Sequence, residues 1–382
     1  MVHISERELE LPTLQFTKIF SRIVKDKSII SLGPGEPDFV TPKPLLDYGK
    51  KIIGKSTHYA EPQGLLELRK EIVKKLKKEN KIKTSPDRVI VGVGSQETLF
   101  NALLTTLDPT ERVIIPSPGY LGYLPAIELV NAVPTYVKLD EEDSFEINPD
   151  RVKKQIDKKK TKVIIINSPS NPTGNVLSKK TLEELADIAV NNNLYIFSDE
   201  AYEQLTFDKK HISIGSLNGM DKNVVTFQTC SKSFAMCGFR VGYAAGPARL
   251  IKAMTKVQNY LTISAPHISQ LMAVKALTMP KKHVNSMRNE YRRRRDFMVK
   301  RLNELDMPTP MPEGAFYAFA NIQKYAKNSV NFSKKLMDKG KVAVIPGTEF
   351  GKYGEGYIRL SCATDYDLII KAMKRIEKTL KR

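Results

Sequence analysis

Short apolar runs alternate with amphipathic stretches along this chain. RVIVGVG (88–94), RVIIP (112–116), KVIIIN (162–167), LYIFSDE (194–200), NVVTF (223–227) and VGYAAG (241–246) are rich in β-branched residues and too short for helices, and most end in Gly, Pro, Asn or an acid. They predict buried strands. Between them, LLELRKEIVKKLKKEN places Leu65, Leu68, Ile72 and Leu76 three or four residues apart, which gives a helix with one apolar stripe. TLEELADIAVNNN and the segment after Ser95 read the same way. Strand–helix alternation predicts an α/β fold with a mainly parallel sheet covered on both faces. The final third breaks the alternation. NEYRRRRDFMVKRLNEL predicts a long helix, AFYAFANI, VAVIPG and GYIRLSCA predict strands, and DLIIKAMKRIEKTL predicts a closing helix. The pattern divides the chain into a large domain over 43–284 and a smaller α+β domain over 285–382. The N-terminal segment 1–42 joins the smaller one, because LELPTLQF precedes the first strand–helix unit.

Composition narrows the class. The chain has 382 residues, 41% of them hydrophobic, enough to bury a large core. No apolar run approaches the ~20 residues that span a bilayer. MVHISERELELP carries acids and no hydrophobic stretch, unlike a secretory signal. Three cysteines, Cys230, Cys237 and Cys362, are odd in number and not spaced as CxxC. They argue against a disulfide framework or a metal site and suit a reducing cytoplasm. The formal net charge is +19, which raises the question of nucleic acid. The basic residues are spread through KKLKKEN, VKKQIDKKKTK, YRRRRDF and KRIEKTLKR with acids interleaved, the pattern of a solvated surface.

Ligands of an open α/β sheet bind beyond the carboxyl ends of its strands, so the residues that follow each strand are the candidates. RVIVGVG runs into GSQETLFNALL, where Gly92 and Gly94 permit a tight turn and Ser95 is placed to cap the helix. The N–H groups of Ser95 and Gln96 would then face outward at a helix N-terminus, which suits a phosphate or serves as a plain turn. Glu97 stands where a dinucleotide fingerprint needs its third glycine, and no Lys-Ser/Thr follows as in a Walker loop. KVIIIN ends in SPSNPTGN, a stiff loop that presents Asn171. LYIF ends in SDEAYE, and Asp199 there needs a cation, a donor or a helix to cap. NVVTF leads to QTCSKSFAMCGFRVGY, with Lys232 among small and hydroxylated residues and Arg240 eight residues on. A lysine that loses hydration in such a pocket becomes a neutral amine able to form a Schiff base, and an arginine can grip a phosphate with two parallel bonds.

Taken together, GSQ, PSPGY, NPTG, SDEAY, SKSFAMCGFRVGY and YIRLSCA, in this order after GPGEPDF (33–39), resemble the pyridoxal-phosphate aminotransferases of the aspartate aminotransferase family. The resemblance covers nearly the whole chain. It implies the fold type I transferase architecture, with a mainly parallel seven-stranded sheet domain and a smaller α+β domain. It implies pyridoxal 5'-phosphate as cofactor and Lys232 as the lysine that carries it as a Schiff base. Asp199 then matches the partner of the pyridine nitrogen, Tyr202 and Asn171 the donors to the phenolic oxygen, and Tyr120 the aromatic stacked on the ring. Ser95, Gln96, Thr229, Ser231 and Arg240 match the phosphate cup. Tyr59, in THYAEPQG, matches a tyrosine that reaches the neighbouring subunit's phosphate, which implies a homodimer with shared sites. Arg359 matches the arginine that grips the substrate α-carboxylate, with Gly35 and Asn171 beside it.

The implied reaction is ping-pong transfer of an amino group from an aspartate, aromatic or aliphatic amino acid to a 2-oxo acid such as 2-oxoglutarate, in the cytoplasm. Ser95 stands where some members carry a lysine for a distal carboxylate, no other residue announces itself as that clamp, and Lys18 in the N-terminal segment is a candidate with nothing further to support it. This departure predicts broad side-chain specificity. Two other readings share parts of the pattern. A C–S β-lyase or cyclising synthase would use the same Lys232, Asp199 and Arg240. A nucleic-acid-binding protein would use the positive charge.

Overall fold

The computed structural model describes residues 4, 5, 8, 11, 15–217 and 219–381, apart from the side chains of 15, 16 and 18. Most of MVHISERELELP, and the side chain of Lys18, lie outside these residues. The strands run in chain order as β1 (Ile30–Ser31), β2 (Val89–Gly92), β3 (Arg112–Ser117), β4 (Val133–Lys138), β5 (Thr161–Asn167), β6 (Tyr195–Asp199), β7 (Val224–Thr229), β8 (Gly242–Ala245), β9 (Tyr317–Asn321), β10 (Val342–Ala343), β11 (Ile345–Pro346) and β12 (Tyr357–Ser361).

Seven strands form one sheet in the order β2-β8-β7-β6-β5-β3-β4. β8 is antiparallel to both β2 and β7, and the other pairings are parallel. All six predicted apolar runs are in it. The seventh strand, β4, reads VPTYVK and escapes the apolar pattern because it is an edge strand with half of its residues polar or Pro. Pro134 is tolerated there because an edge leaves one row of backbone groups unpaired. Alternation splits the sheet's faces. Val163 and Ile165 pack with Leu103, Val113, Phe227 and Met254, whereas Ile164 and Ile166 pack with Leu182 and Leu185. Each face is thus covered by helices, Ser95–Thr106 and Ala248–Leu261 on one side and Lys179–Asn191 on the other.

The final third forms a three-stranded antiparallel sheet, β11-β12-β9. β1 pairs in parallel with β10, Ile30 opposite Val342. Leu32 shares a buried cluster with Met298, Leu302, Tyr317, Ile358 and Ile376, so the segment near residue 30 packs on the C-terminal third. The long helix spans Lys282–Glu304 and starts earlier than its apolar pattern indicated. Two of its arginines are buried rather than solvated. Arg294 binds Asp38 and Glu290, and Arg295 binds Asp208, Asp296 and the Pro312 carbonyl.

Candidate active site

The carboxyl ends of β3, β5, β6 and β7 open onto a cavity of about 350 Å³. Gly35, Ser95, Gln96, Tyr120, Asn171, Asp199, Tyr202, Thr229, Ser231, Lys232, Arg240 and Arg359 all line it. Tyr59 does not line it and is 78% exposed.

The phosphate-type turn is built differently from its sequence reading. Gly94, not Ser95, occupies the cap position of helix Ser95–Thr106, and no side chain caps it. Gly94 has φ +84° and ψ 163°, a conformation reserved for glycine. The capping is done from the other side, where Glu97 Oε2 accepts from the Val93 N–H at 3.0 Å. A Cβ on Gly94 would lie 2.6 Å from Arg240 Nη2, so the arginine lies directly against the turn. Arg240 sits in the left-handed region at φ 50° and donates to the Cys237 carbonyl at 2.9 Å. Opposite it, Thr229 Oγ1 donates to Ser231 Oγ at 3.0 Å or to the Val241 carbonyl at 3.1 Å.

The other groups form two connected sets. Lys232 Nζ donates to the Gly35 carbonyl at 2.6 Å and stands 5.8 Å from the Tyr202 ring. The Tyr202 and Tyr317 hydroxyls are 2.7 Å apart. Asp199 Oδ2 accepts from the Tyr123 hydroxyl at 2.7 Å, and its Oδ1 accepts from the Ala201 N–H at 3.2 Å. Arg359 donates through Nη1 to Asn171 Oδ1 at 3.0 Å and through Nη2 to the Gly33 carbonyl at 2.6 Å. Its guanidinium lies 4.3 Å from the Tyr317 ring centre and 4.9 Å from that of Phe350. Tyr120 donates to Gln96 Oε1 at 3.0 Å and meets Tyr123 edge-on.

Electrostatics mark two of these groups. Burial pushes the Asp199 carboxyl above the usual carboxylate range, and the bonds from Tyr123 and Ala201 offset this only in part. Burial likewise lowers the Arg359 guanidinium from its ordinary value. Arg359 is 3% exposed, its Nε has no partner, and its Nη atoms donate to the Asn171 amide and the Gly33 carbonyl rather than to a carboxylate. A buried charge without a counter-ion is costly. One anion and one cation, both undercompensated, therefore face one cavity.

Residues 27–376 match the model of the aminotransferase class I and II family. The chain belongs to this family. An aspartate aminotransferase of Pyrococcus abyssi is 44% identical over 372 residues, with 96% of this chain and 95% of that protein covered. An aromatic-amino-acid aminotransferase 2 of Thermococcus litoralis is 41% identical, with 99% and 98% covered. In three dimensions, a crystal structure of a Pyrococcus protein, protein-A1, superposes with a TM-score of 0.96 at 43% identity over 98% of both chains.

The chain is thus an aminotransferase with the α/β fold of its family, dependent on pyridoxal phosphate. The residues present fit that cofactor. Burial of Asp199 outweighs what its hydrogen bonds and the charge of Lys232 offset, the N–H end of helix Ser95–Thr106 lies beside Arg240, and an amine lines the same cavity. The sequence reading missed Tyr123, Asn167 and Tyr317, which also line the cavity. Asn167 Oδ1 accepts from the Asn171 N–H at 2.7 Å, and Asn167 Nδ2 donates to the Asp199 carbonyl at 3.0 Å. As the last residue of KVIIIN, an amide at a strand's carboxyl end, it was legible in principle. Tyr123 and Tyr317 look like core aromatics in sequence and carried no such signal.

Proposed function

We propose that the enzyme moves an amino group from aspartate or an aromatic amino acid to a 2-oxo acid such as 2-oxoglutarate, in two half-reactions. Relatives named for aspartate and for aromatic substrates, similar to this chain at 44% and 41% identity, support both donor classes. The observation that carries the reading is Arg359. A buried guanidinium with an unpartnered Nε and no carboxylate of its own, in the same cavity as the Lys232 amine, suits the carboxylate of an incoming amino or oxo acid.

Bound pyridoxal phosphate supplies the electron sink that weakens the bonds at the substrate α-carbon. Asp199, held by Tyr123, would keep the ring nitrogen cationic. Tyr202, held by Tyr317, and Asn171, held by Asn167, would donate to the ring oxygen. Ser95, Gln96, Thr229, Ser231 and Arg240 would hold the phosphate, and Tyr120 would cover the ring. Arg359 and Gly35 orient the carboxylate so that one α-carbon bond faces Lys232. Lys232 is the amine that would hold the cofactor and, once freed by substrate, could carry a proton to and from the α-carbon. Segment 1–42 and residues 285–382 act as one small domain against 43–284, so substrate bound to Gly35 and Arg359 bridges the two.

The assembly is read as a cytoplasmic homodimer. All three cysteines are free, which suits a reducing compartment. Tyr59 and Tyr260 are 78% and 81% exposed, unusual for large aromatics unless a second copy covers them. In that dimer Tyr59 reaches the phosphate of the neighbouring site. A panel of single half-reactions tests the activity. Aspartate and aromatic donors should shift the cofactor's absorbance and stall until an oxo acid is added. Release of ammonia and pyruvate without an acceptor would instead identify a lyase.

A further inference from the structure

Behind the cofactor end of the sheet lies a buried polar cluster to which the activity assigns no part. Strand alternation puts Asp199 and Thr229 on the cavity side and Ser198, Glu200 and Gln228 on the other. Gln228 pairs across the strands with Tyr243, and the Glu200 N–H donates to the Phe227 carbonyl, so Glu200, Gln228 and Tyr243 form one row. Gln228 Nε2 donates to Glu200 Oε2 at 3.0 Å, and the Tyr243 hydroxyl donates to Gln228 Oε1 at 2.8 Å.

Lys75 closes the row from the end of helix Leu66–Lys75. Its Nζ donates to Gln228 Oε1 at 2.5 Å, Glu203 Oε1 at 2.6 Å and Asn80 Oδ1 at 2.8 Å, which uses all three protons. Its side chain is 4% exposed, although KKLKKEN reads as solvated surface in sequence. Glu200 is completed by Ser198, Ser213 and His211. Burial works against the Glu203 charge, yet Lys75 more than compensates and holds its carboxyl below the ordinary value. The charged and titratable groups in contact here are Lys75, Glu79, Glu200, Glu203 and His211, with Tyr243 as a neutral donor.

A buried lysine held by three acceptors leaves its partners little freedom. Lys75 braces two sheet positions, Gln228 by contact and Glu200 indirectly, since the N–H of its partner Glu203 donates to the Glu200 carbonyl at 3.1 Å; each adjoins a cavity residue, Asp199 before Glu200 and Thr229 after Gln228. We propose that Lys75 is a positioning residue for the cofactor. Through Gln228 and the row Glu200–Gln228–Tyr243, it fixes the ends of β6 and β7 so that Asp199 and Thr229 are aimed into the cavity. The inference rests on the reading of Asp199 and Thr229 as cofactor ligands.

The test is pyridoxal phosphate affinity in the full chain, with thermal unfolding and the pH titration of the bound cofactor's absorbance measured alongside. Lys75→Met with Glu203→Gln removes both charges of the pair and spares the cost of a lone buried carboxylate. The expected result is a dissociation constant raised about tenfold and a displaced absorbance midpoint, with the unfolding temperature of the cofactor-free chain near that of the parent. Tyr243→Phe, which deletes one donor to Gln228 and little volume, should raise the constant about threefold and holds if the double variant does not fold. An unchanged constant and midpoint in the folded variants would overturn the proposal. The site reading is checked separately: if Asp199→Ala in an otherwise parental chain binds the cofactor as tightly as the parent, it is the ligand assignment that fails.

Discussion

At the scale of single residues, the site is assembled from groups that the bare fold tolerates poorly. Asp199 is the clearest. Burial raises its carboxyl above the unfolded-state value, so the residue favours folding only while protonated. That contribution is complete below the ordinary carboxylate range and is lost as pH rises through the raised value. At neutral pH the cofactor-free chain therefore carries a cost that a ring cation removes. Asp199→Asn keeps an acceptor for the Tyr123 hydroxyl and drops the charge. We expect the cofactor-free variant to unfold at a higher temperature than the parent at neutral pH, a gap that closes in acid, while transamination is lost. Calorimetry across pH together with a half-reaction assay checks both. Arg359→Leu removes the carboxylate grip. It should lower kcat/KM about a hundredfold, or ~3 kcal/mol, for every donor alike, because the α-carboxylate is common to all. A loss confined to aspartate would contradict the role given to it.

At the scale of elements, the turn between β2 and helix Ser95–Thr106 would decide where the phosphate of the proposed site sits. Two constraints meet at Gly94: a backbone conformation that other residues adopt at a cost of ~1–3 kcal/mol, and the guanidinium 2.6 Å from where a Cβ would be. Gly94→Ala should cost about that much stability and displace Arg240. Cofactor affinity should then fall more than the unfolding free energy does, as comparison of equilibrium dialysis with denaturant titration would measure. Gly242 matters for a related reason. A Cβ there would lie 2.4 Å from the Ser95 nitrogen, so β8 approaches the turn closely enough that only glycine fits. The segment 33–41 is the second decisive element. Gly33 and Gly35 turn carbonyls toward Arg359 and Lys232, while Asp38 is bound to Arg294 and Thr41 to the Ala235 carbonyl. It thus touches both the long C-terminal helix and the lysine-bearing loop.

At the scale of the whole molecule, charge and exposed aromatic surface carry the predictions. The net charge of +19 attracts substrates of net negative charge, aspartate more than a neutral aromatic amino acid, by an interaction that salt screens over roughly 8–10 Å. The KM for aspartate should rise with ionic strength more than that for an aromatic amino acid, as initial rates in graded salt would record. Sedimentation should give about twice the 43.1 kDa chain mass. Tyr59→Phe should weaken cofactor binding without changing that mass, because in the proposed dimer the hydroxyl would serve the neighbouring site while the ring would still fill the contact. A monomer in solution would remove the basis for the role of Tyr59.

The apolar spacing and the Gly, Pro and Asn punctuation are local properties, and they suffice for the six main strands, the amphipathic helices and the change of pattern in the final third. Ser95, Asn171, Asp199, Thr229 and Lys232 were legible for the same reason, since each closes a strand or follows its end within a few positions, whereas Gly35, Tyr120, Tyr202 and Arg359 were read through the family resemblance. Local pattern fails where an element draws its stability from neighbours. VPTYVK is a strand because β3 pairs with it, and Lys75 is buried because Asn80, Glu203 and Gln228 converge on it from three places in the chain. Tyr123 and Tyr317 become site residues only when packing sets their hydroxyls against Asp199 and Tyr202. Tertiary structure alone brought Lys232 to Gly35 and Arg359 to Gly33, partners 197 and 326 residues apart. Contacts across such separations depend on how the layers close, and a one-dimensional pattern records which chemistry is present but not which groups that closure will leave unpaired.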